Sequence, residues 1–127
     1  MVHTGLRAYA YQCTYNAHSW MDDPSSLISD LQTALSGISN FSYTQLKIAN
    51  VKDVTGSIIE IEILGITYNS LTQLDASGND ALISDLNTAL LTISNLVFMY
   101  ITVCNDIFDD DPTTGWPGQS WETDNVN

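Results

Sequence analysis

Few residues in this chain are of kinds that do chemistry: two histidines and two cysteines stand among fifteen acidic and three basic side chains. His18 precedes Asp22 and Asp23 in one polar stretch, where an imidazole and two carboxylates could share a proton or hold a cation. Three polar residues in a loop are more often simply hydrated, so no catalytic role is assigned to them, and His3 stands apart near the start. Asn105, Asp106, Asp109, Asp110 and Asp111 offer hard oxygen ligands of the kind Ca²⁺ takes. They lack the alternating acids, central glycine and closing Glu of an EF-hand loop, and read as a solvated acidic turn. No glycine-rich phosphate loop, zinc-ligand spacing or nucleophile elbow occurs. The expectation is a protein that is not an enzyme and has no catalytic residue, metal or cofactor.

Charge narrows the partners. The formal charge is −12, and the three bases are Arg7, Lys47 and Lys52. Nucleic-acid binding draws on counterion release by clustered Lys and Arg, so tight binding to nucleic acid is not expected. The same balance disfavours acidic membranes. The acidity itself has two readings: solubility or adaptation to salt, or a surface that stays near DNA without adhering to it. No stretch approaches the roughly 20 apolar residues that span a bilayer. The opening MVHTGLRAYAYQ lacks the basic and apolar regions of a signal peptide. A soluble chain with reduced Cys13 and Cys104 is therefore expected, located in the cytoplasm unless it belongs to a virion.

The elements that must position these residues come from a repeat. Leu27–Asn40, LISDLQTALSGISN, returns as Leu82–Asn95, LISDLNTALLTISN, with 11 of 14 positions identical. Thr14-Tyr15-Asn16 likewise returns as Thr67-Tyr68-Asn69. One unit written twice is the reading. Leu6–Tyr15 alternates and is rich in Tyr, as a strand does. Asp23-Pro24 then reads as an N-cap with Pro at the first helical position. Leu27, Ile28, Leu31, Leu35 and Ile38 follow at helical spacing, matched by Leu82, Ile83, Leu86, Leu90 and Ile93. Phe41–Ala49, Ser57–Tyr68 and Leu96–Cys104 read as strands, with Asn50–Gly56 a turn and Asn69–Asn79 a loop. The order is β-α-β-β-α-β. The expected fold is α+β, ferredoxin-like, from an internal duplication, with an antiparallel sheet and two helices on one face. The domain spans 1–104, in halves of about 5–50 and 57–104, and 105–127 form an acidic, tryptophan-containing tail or arm.

Strand alternation then assigns faces. Leu6, Ala8 and Ala10 correspond to Ile59, Ile61 and Ile63; Ser42, Thr44, Leu46 and Ile48 correspond to Val97, Met99, Ile101 and Val103. All of these are expected to face the helices. A one-residue register error in the first strand would exchange Ala8 and Ala10 for Tyr9 and Tyr11. The opposite face collects Arg7, Tyr9, Tyr11, Cys13, Phe41, Tyr43, Lys47, Glu60, Glu62, Leu64, Phe98 and Tyr100. An antiparallel sheet whose second face is aromatic rather than polar marks an interface, or a face that the tail folds over. The expected interface set is Arg7, Tyr9, Tyr11, Tyr43, Lys47, Glu60, Glu62, Phe98, Tyr100, Trp116 and Trp121. The two tryptophans enter because they are costly to leave in water, so the tail docks on its own sheet or on a neighbour. Cys13 and Cys104 fall near opposite ends of adjacent strands, on the order of 25 Å apart at strand rise, too far for a disulfide.

Two families bear on function. Tautomerases use doubled βαβ units of about this length, but their base is a Pro directly after the initiator Met, where this chain has Val2. The run LRAYAYQCTYN followed by DDPSSLISDLQTALSG resembles small phage tail-terminator and tail-completion proteins. That resemblance implies a ring of identical subunits at a head–tail junction, whose acidic lumen lets DNA pass. The expected function is thus a non-enzymatic structural subunit that associates with itself and with other structural proteins, as a virion component. The alternative is a homodimeric α/β-barrel enclosing a small apolar ligand or substrate.

Overall fold

In the computed structural model, the described residues are 2–53, 56–70, 78–109 and 119–123, with side chains described for 6–51, 56–70 and 80–104. The elements run β1 (Val2–Tyr15), α1 (Ser25–Leu35), β2 (Phe41–Ser42), β3 (Gln45–Asp53), β4 (Gly56–Tyr68), α2 (Gly78–Leu91), β5 (Leu96–Val97), β6 (Tyr100–Asp109) and β7 (Gln119–Thr123). The chain is α+β, an antiparallel sheet with two helices. Across the main sheet the strands lie in the order β6, β1, β4, β3, β7, and neighbours are antiparallel except that β7 runs parallel to β3.

Both helical stripes reach one core. Leu27, Leu31 and Leu35 of α1 and Leu82, Leu86 and Leu90 of α2 are buried together with Leu6, Ala8, Ala10, Leu46, Ile48, Ile59, Ile61, Ile63 and Ile101 of the sheet. Ala8 and Ala10 are thus core residues, as alternation predicts; their small size lets Leu side chains from the helices approach the central strand. α1 begins one residue later than expected. Pro24 holds the cap position, and the Asp23 carboxylate accepts the Ser25 N–H at 3.0 Å, which keeps that carboxyl below its usual range.

Two bulges interrupt the alternation. Between the pairs Ala10↔Ile61 and Cys13↔Ile59, β1 carries one residue more than β4, and Gln12 takes φ 54°. Between Leu6↔Ile66 and Ala8↔Ile63 the surplus is on β4, where Gly65 takes φ 66°. A surplus residue reverses which face the following side chains meet. Cys13 and Tyr15 therefore turn into the core after Gln12, and Ile66 and Tyr68 after Gly65. The reversal passes to the outer neighbours. The β4 bulge separates β2, which pairs with Thr67 and Tyr68, from β3, which pairs with residues up to Leu64. The β1 bulge separates β5 from β6 in the same way.

These breaks correct several expected placements. Ser42, Thr44, Val97 and Met99 are exposed instead of facing the helices, while Leu46, Ile48, Ile101 and Val103 face them as expected. Conversely, Phe41, Tyr43 and Phe98 pack against the helix-side core, and Cys13 is fully buried in it. Cys104 is level with Arg7 on β1, six residues from Cys13, a separation of roughly 20 Å at strand rise.

The repeated segments carry matching local geometry. Asn16 and Ala17 take φ 52° and 64°, and Asn69 and Ser70 take φ 50° and 66°. Tyr15 donates its hydroxyl to Asp30 at 2.5 Å, and Tyr68 donates to Asp85. Each turn also ties to the opposite half: the Asn16 N–H donates to the Asn95 carbonyl and the Asn69 N–H to the Asn40 carbonyl, both at 2.9 Å. One buried polar group escaped the pattern. Asn50 on β3 receives the Met21 N–H at 3.2 Å and donates to the Met21 carbonyl at 2.7 Å, pinning the loop before α1.

Candidate interface on the helix-free sheet face

The sheet face away from the helices is built by alternate residues of four strands. β1 contributes Arg7, Tyr9 and Tyr11, β4 contributes Ile58, Glu60, Glu62 and Leu64, β3 contributes Gln45, Lys47 and Ala49, and β6 contributes Tyr100, Thr102 and Cys104. The register sets Tyr9 beside Glu62 and Thr102, Lys47 beside Glu62, and Tyr11 beside Tyr100. Of the expected interface set, the structure brings together Arg7, Tyr9, Tyr11, Lys47, Glu60, Glu62 and Tyr100. Tyr43 and Phe98 lie on the other side of the sheet for the reason given above. Trp116 is outside the described residues. Trp121 is at the β7 position opposite Ile48, so the tail's β7 segment extends the edge of its own sheet.

This face is drier than a solvated sheet surface. Leu64 and Gln45 are buried, Glu62 is 7% exposed, and the Lys47 side chain is 13% exposed. The Lys47 Nζ is 3.5 Å from Glu62 Oε2. The Arg7 guanidinium lies 5.3 Å from the centre of the Tyr9 ring, a cation–π contact, and the Tyr11 and Tyr100 rings are 5.5 Å apart. Burial pushes the Tyr9 phenol upward, with Arg7 opposing and the carboxylates of Glu62 and Glu60 adding to the rise.

Glu60 is the most perturbed group here. Burial, then the Glu62 charge and a carboxyl-to-carboxyl hydrogen bond, raise it from 4.5 to about 7, against the pull of Lys47 and Arg7. Two cations and two carboxyls thus form a compact, nearly neutral network within a chain of formal charge −12. A patch of that kind can approach another acidic surface without the repulsion the rest of the molecule exerts.

Among the described residues, His18, Asp22 and Asp23 do not come together as a site. His18 is exposed in the turn after β1, joined to Tyr15 through backbone hydrogen bonds, and Asp22 and Asp23 are exposed. Asn105, Asp106 and Asp109 lie in β6 with their side chains outside the described set, and Asp110 and Asp111 are outside the described residues. Among the described residues no three His, Cys, Asp or Glu side chains meet as metal ligands would. Cys13 is sealed in the core, its thiol pushed up to about 12 by burial. Surface depressions of about 420 and 310 Å³ lie on the helix side, where Ala34 of α1 and Gly37 just beyond it meet Thr92 after α2. The bulge at Gln12 and the Asn50 contact gave no compositional warning, whereas Gly65 inside a strand and the matched Thr-Tyr-Asn triplets are signals that could have located the bulges.

Comparison with protein-family models, with curated proteins and with solved structures finds no match to this chain. Among the described residues no helix is long and apolar enough to cross a membrane.

Proposed function

We propose that this chain is a non-enzymatic structural subunit that associates with copies of itself. The observation that carries the reading is the helix-free sheet face, where a charge-balanced cluster of Arg7, Lys47, Glu60 and Glu62 sits among Tyr9, Tyr11 and Tyr100. Protein interfaces are enriched in Tyr and Arg, as this face is in Arg7, Tyr9, Tyr11 and Tyr100, and arrange opposite charges to complement one another. We also read the scaffold as a duplicated βαβ unit of ferredoxin-like plan. The strand order β6-β1-β4-β3 supports this, as do the paired bulges at Gln12 and Gly65 and the paired Tyr15–Asp30 and Tyr68–Asp85 hydrogen bonds.

The most specific form of the proposal is a virion component, in the neck, tail or capsid of a phage, which also contacts other structural proteins. It takes its support from the resemblance carried by the segment from Leu6 to Gly37. A barrel-forming homodimer that encloses an apolar ligand is less well supported. It needs Tyr9, Tyr11, Tyr43, Phe98 and Tyr100 on one lining, and Tyr43 and Phe98 pack on the helix side. Tyr11→Ala separates the two readings. A subunit that assembles through this face loses native mass in light scattering, whereas a ligand-enclosing dimer keeps its mass and loses its ligand.

A further inference from the structure

Given the self-association proposed above, on which this assignment rests, the two repeated halves act as controls for one another. Where the fold makes the same demands on both, a difference in residue type has a cause other than folding. Ser42 and Thr44 occupy exposed positions where the first half passes from β2 to β3. The matching positions between β5 and β6 hold Val97 and Met99, 63% and 67% exposed, and Tyr100 follows at 44%. The backbone there is equivalent: the Thr44 N–H donates to the Leu64 carbonyl at 2.9 Å, and the Met99 N–H to the Tyr11 carbonyl at 3.0 Å. Since Ser and Thr satisfy this corner in one half, exposing Val and Met in the other is not a requirement of the fold.

The two sheet edges differ in the same sense. The outer edge of β3 carries β7, whereas among the described residues β6 pairs with β1 alone. Leu96–Cys104, LVFMYITVC, contains no charge, no Pro and no Gly in a chain with 18 charged residues. Isolated edge strands carry such residues to block pairing with other chains. This edge has none of them over that stretch, and an apolar patch sits at its start.

We propose that β6 pairs antiparallel with β6 of a second copy about a two-fold axis at Thr102, joining two sheets and covering Val97 and Met99. Charge selects a second copy as the occupant. The acids of this strand, Asp106 and Asp109, lie at one end only. Antiparallel pairing about Thr102 sets Tyr100 against Cys104 of the partner subunit. It brings Asp106 level with Phe98 of the partner subunit and Asp109 level with Asn95 of the partner subunit, so no acid meets an acid. Parallel pairing would stack the acids. The strand edge that pairs with no further strand among the described residues, the apolar corner and the uncharged stretch are therefore each self-complementary under one two-fold operation.

The test is the native mass of the full chain and of two variants, with circular dichroism as the folding control. Val97→Ser with Met99→Thr installs the residues the first half uses at these positions, and Thr102→Lys places a charge on the axis. The proposal predicts an associated wild type whose mass falls at least twofold in both variants, with unchanged secondary structure. An oligomer unaffected by either variant overturns the edge assignment and leaves association through the sheet face standing. A wild type of 14.0 kDa overturns both. Should the variants fail to fold, Thr102→Cys in a Cys104→Ser background decides the matter. Residues facing across an antiparallel pair have Cα atoms about 4.5–5.5 Å apart, within disulfide reach. Mild oxidation should cross-link most of that protein into a dimer, and a product that stays monomeric in denaturing electrophoresis overturns the proposal.

Discussion

Glu60→Gln tests the electrostatics of the sheet face directly. In the folded chain this carboxyl is raised from 4.5 to about 7 by burial and by Glu62. Between those pH values the folded state keeps a proton that the unfolded state has released. Stability is therefore greatest below pH 4.5 as far as this group is concerned, falls as pH rises toward 7, and is flat above it. A fully buried carboxyl moved that far would account for about 3 kcal/mol. Glu60 is only half-buried, and solvent screening reduces the effect to about 1 kcal/mol. Gln keeps the amide hydrogen bond to Glu62 at every pH and has no proton to lose. The assay is urea unfolding at pH 5, 6, 7 and 8, at one protein concentration so that association contributes equally throughout. Wild type should lose about 1 kcal/mol more than Glu60→Gln across that range, and the variant should be the more stable protein at pH 8. Equal slopes for the two proteins would refute the assignment of a shared proton to the Glu60–Glu62 pair.

Three further outcomes follow from the matched halves and from the Asn50 contact. Tyr15→Phe and Tyr68→Phe each remove a hydroxyl donated to a carboxylate and should each cost about 1–2 kcal/mol in chemical denaturation, with values within about 0.5 kcal/mol of one another. A large inequality would show that the two turns are not energetically equivalent. Gly65→Ala puts a Cβ on left-handed backbone and should cost about 1–2 kcal/mol, whereas Gln12→Gly relieves the same conformation in β1 and should leave stability unchanged or raise it by up to about 1 kcal/mol. Asn50→Leu strands both the N–H and the carbonyl of Met21 and should cost about 2 kcal/mol, seen as a lower melting temperature.

What was legible from sequence is the scaffold. The repeated LISDL segments place two helices, and the apolar spacing in each picks the buried stripe of Leu27, Leu31 and Leu35 and of Leu82, Leu86 and Leu90. Ile59, Ile61 and Ile63 announce a central strand. The faces were only half legible, because alternation holds only until a bulge. Gln12 is an ordinary polar residue in a tyrosine-rich strand, and nothing in its type signals φ 54°. Gly65 is the clearer hint, since an isolated glycine in a strand marks a bulge. Reading it as one would have moved Tyr68 inward, and by the repeat Tyr15 as well. From there, Phe41, Tyr43 and Phe98 follow into the core. The partly buried Glu60–Glu62–Lys47 network was visible as a set of residues but not as a pKa, which depends on how dry the face is. Asn50 was not legible at all, because its partner is a loop backbone 29 residues away.

The central claim is that copies of this chain associate, and light scattering after size exclusion measures it most directly. Each copy carries −12, so mutual repulsion opposes association at low salt and is screened at higher salt. The account predicts a native mass that is a whole multiple of 14.0 kDa and that is retained or increased as salt rises from 50 to 500 mM. A particle of 14.0 kDa at every salt and protein concentration would contradict it.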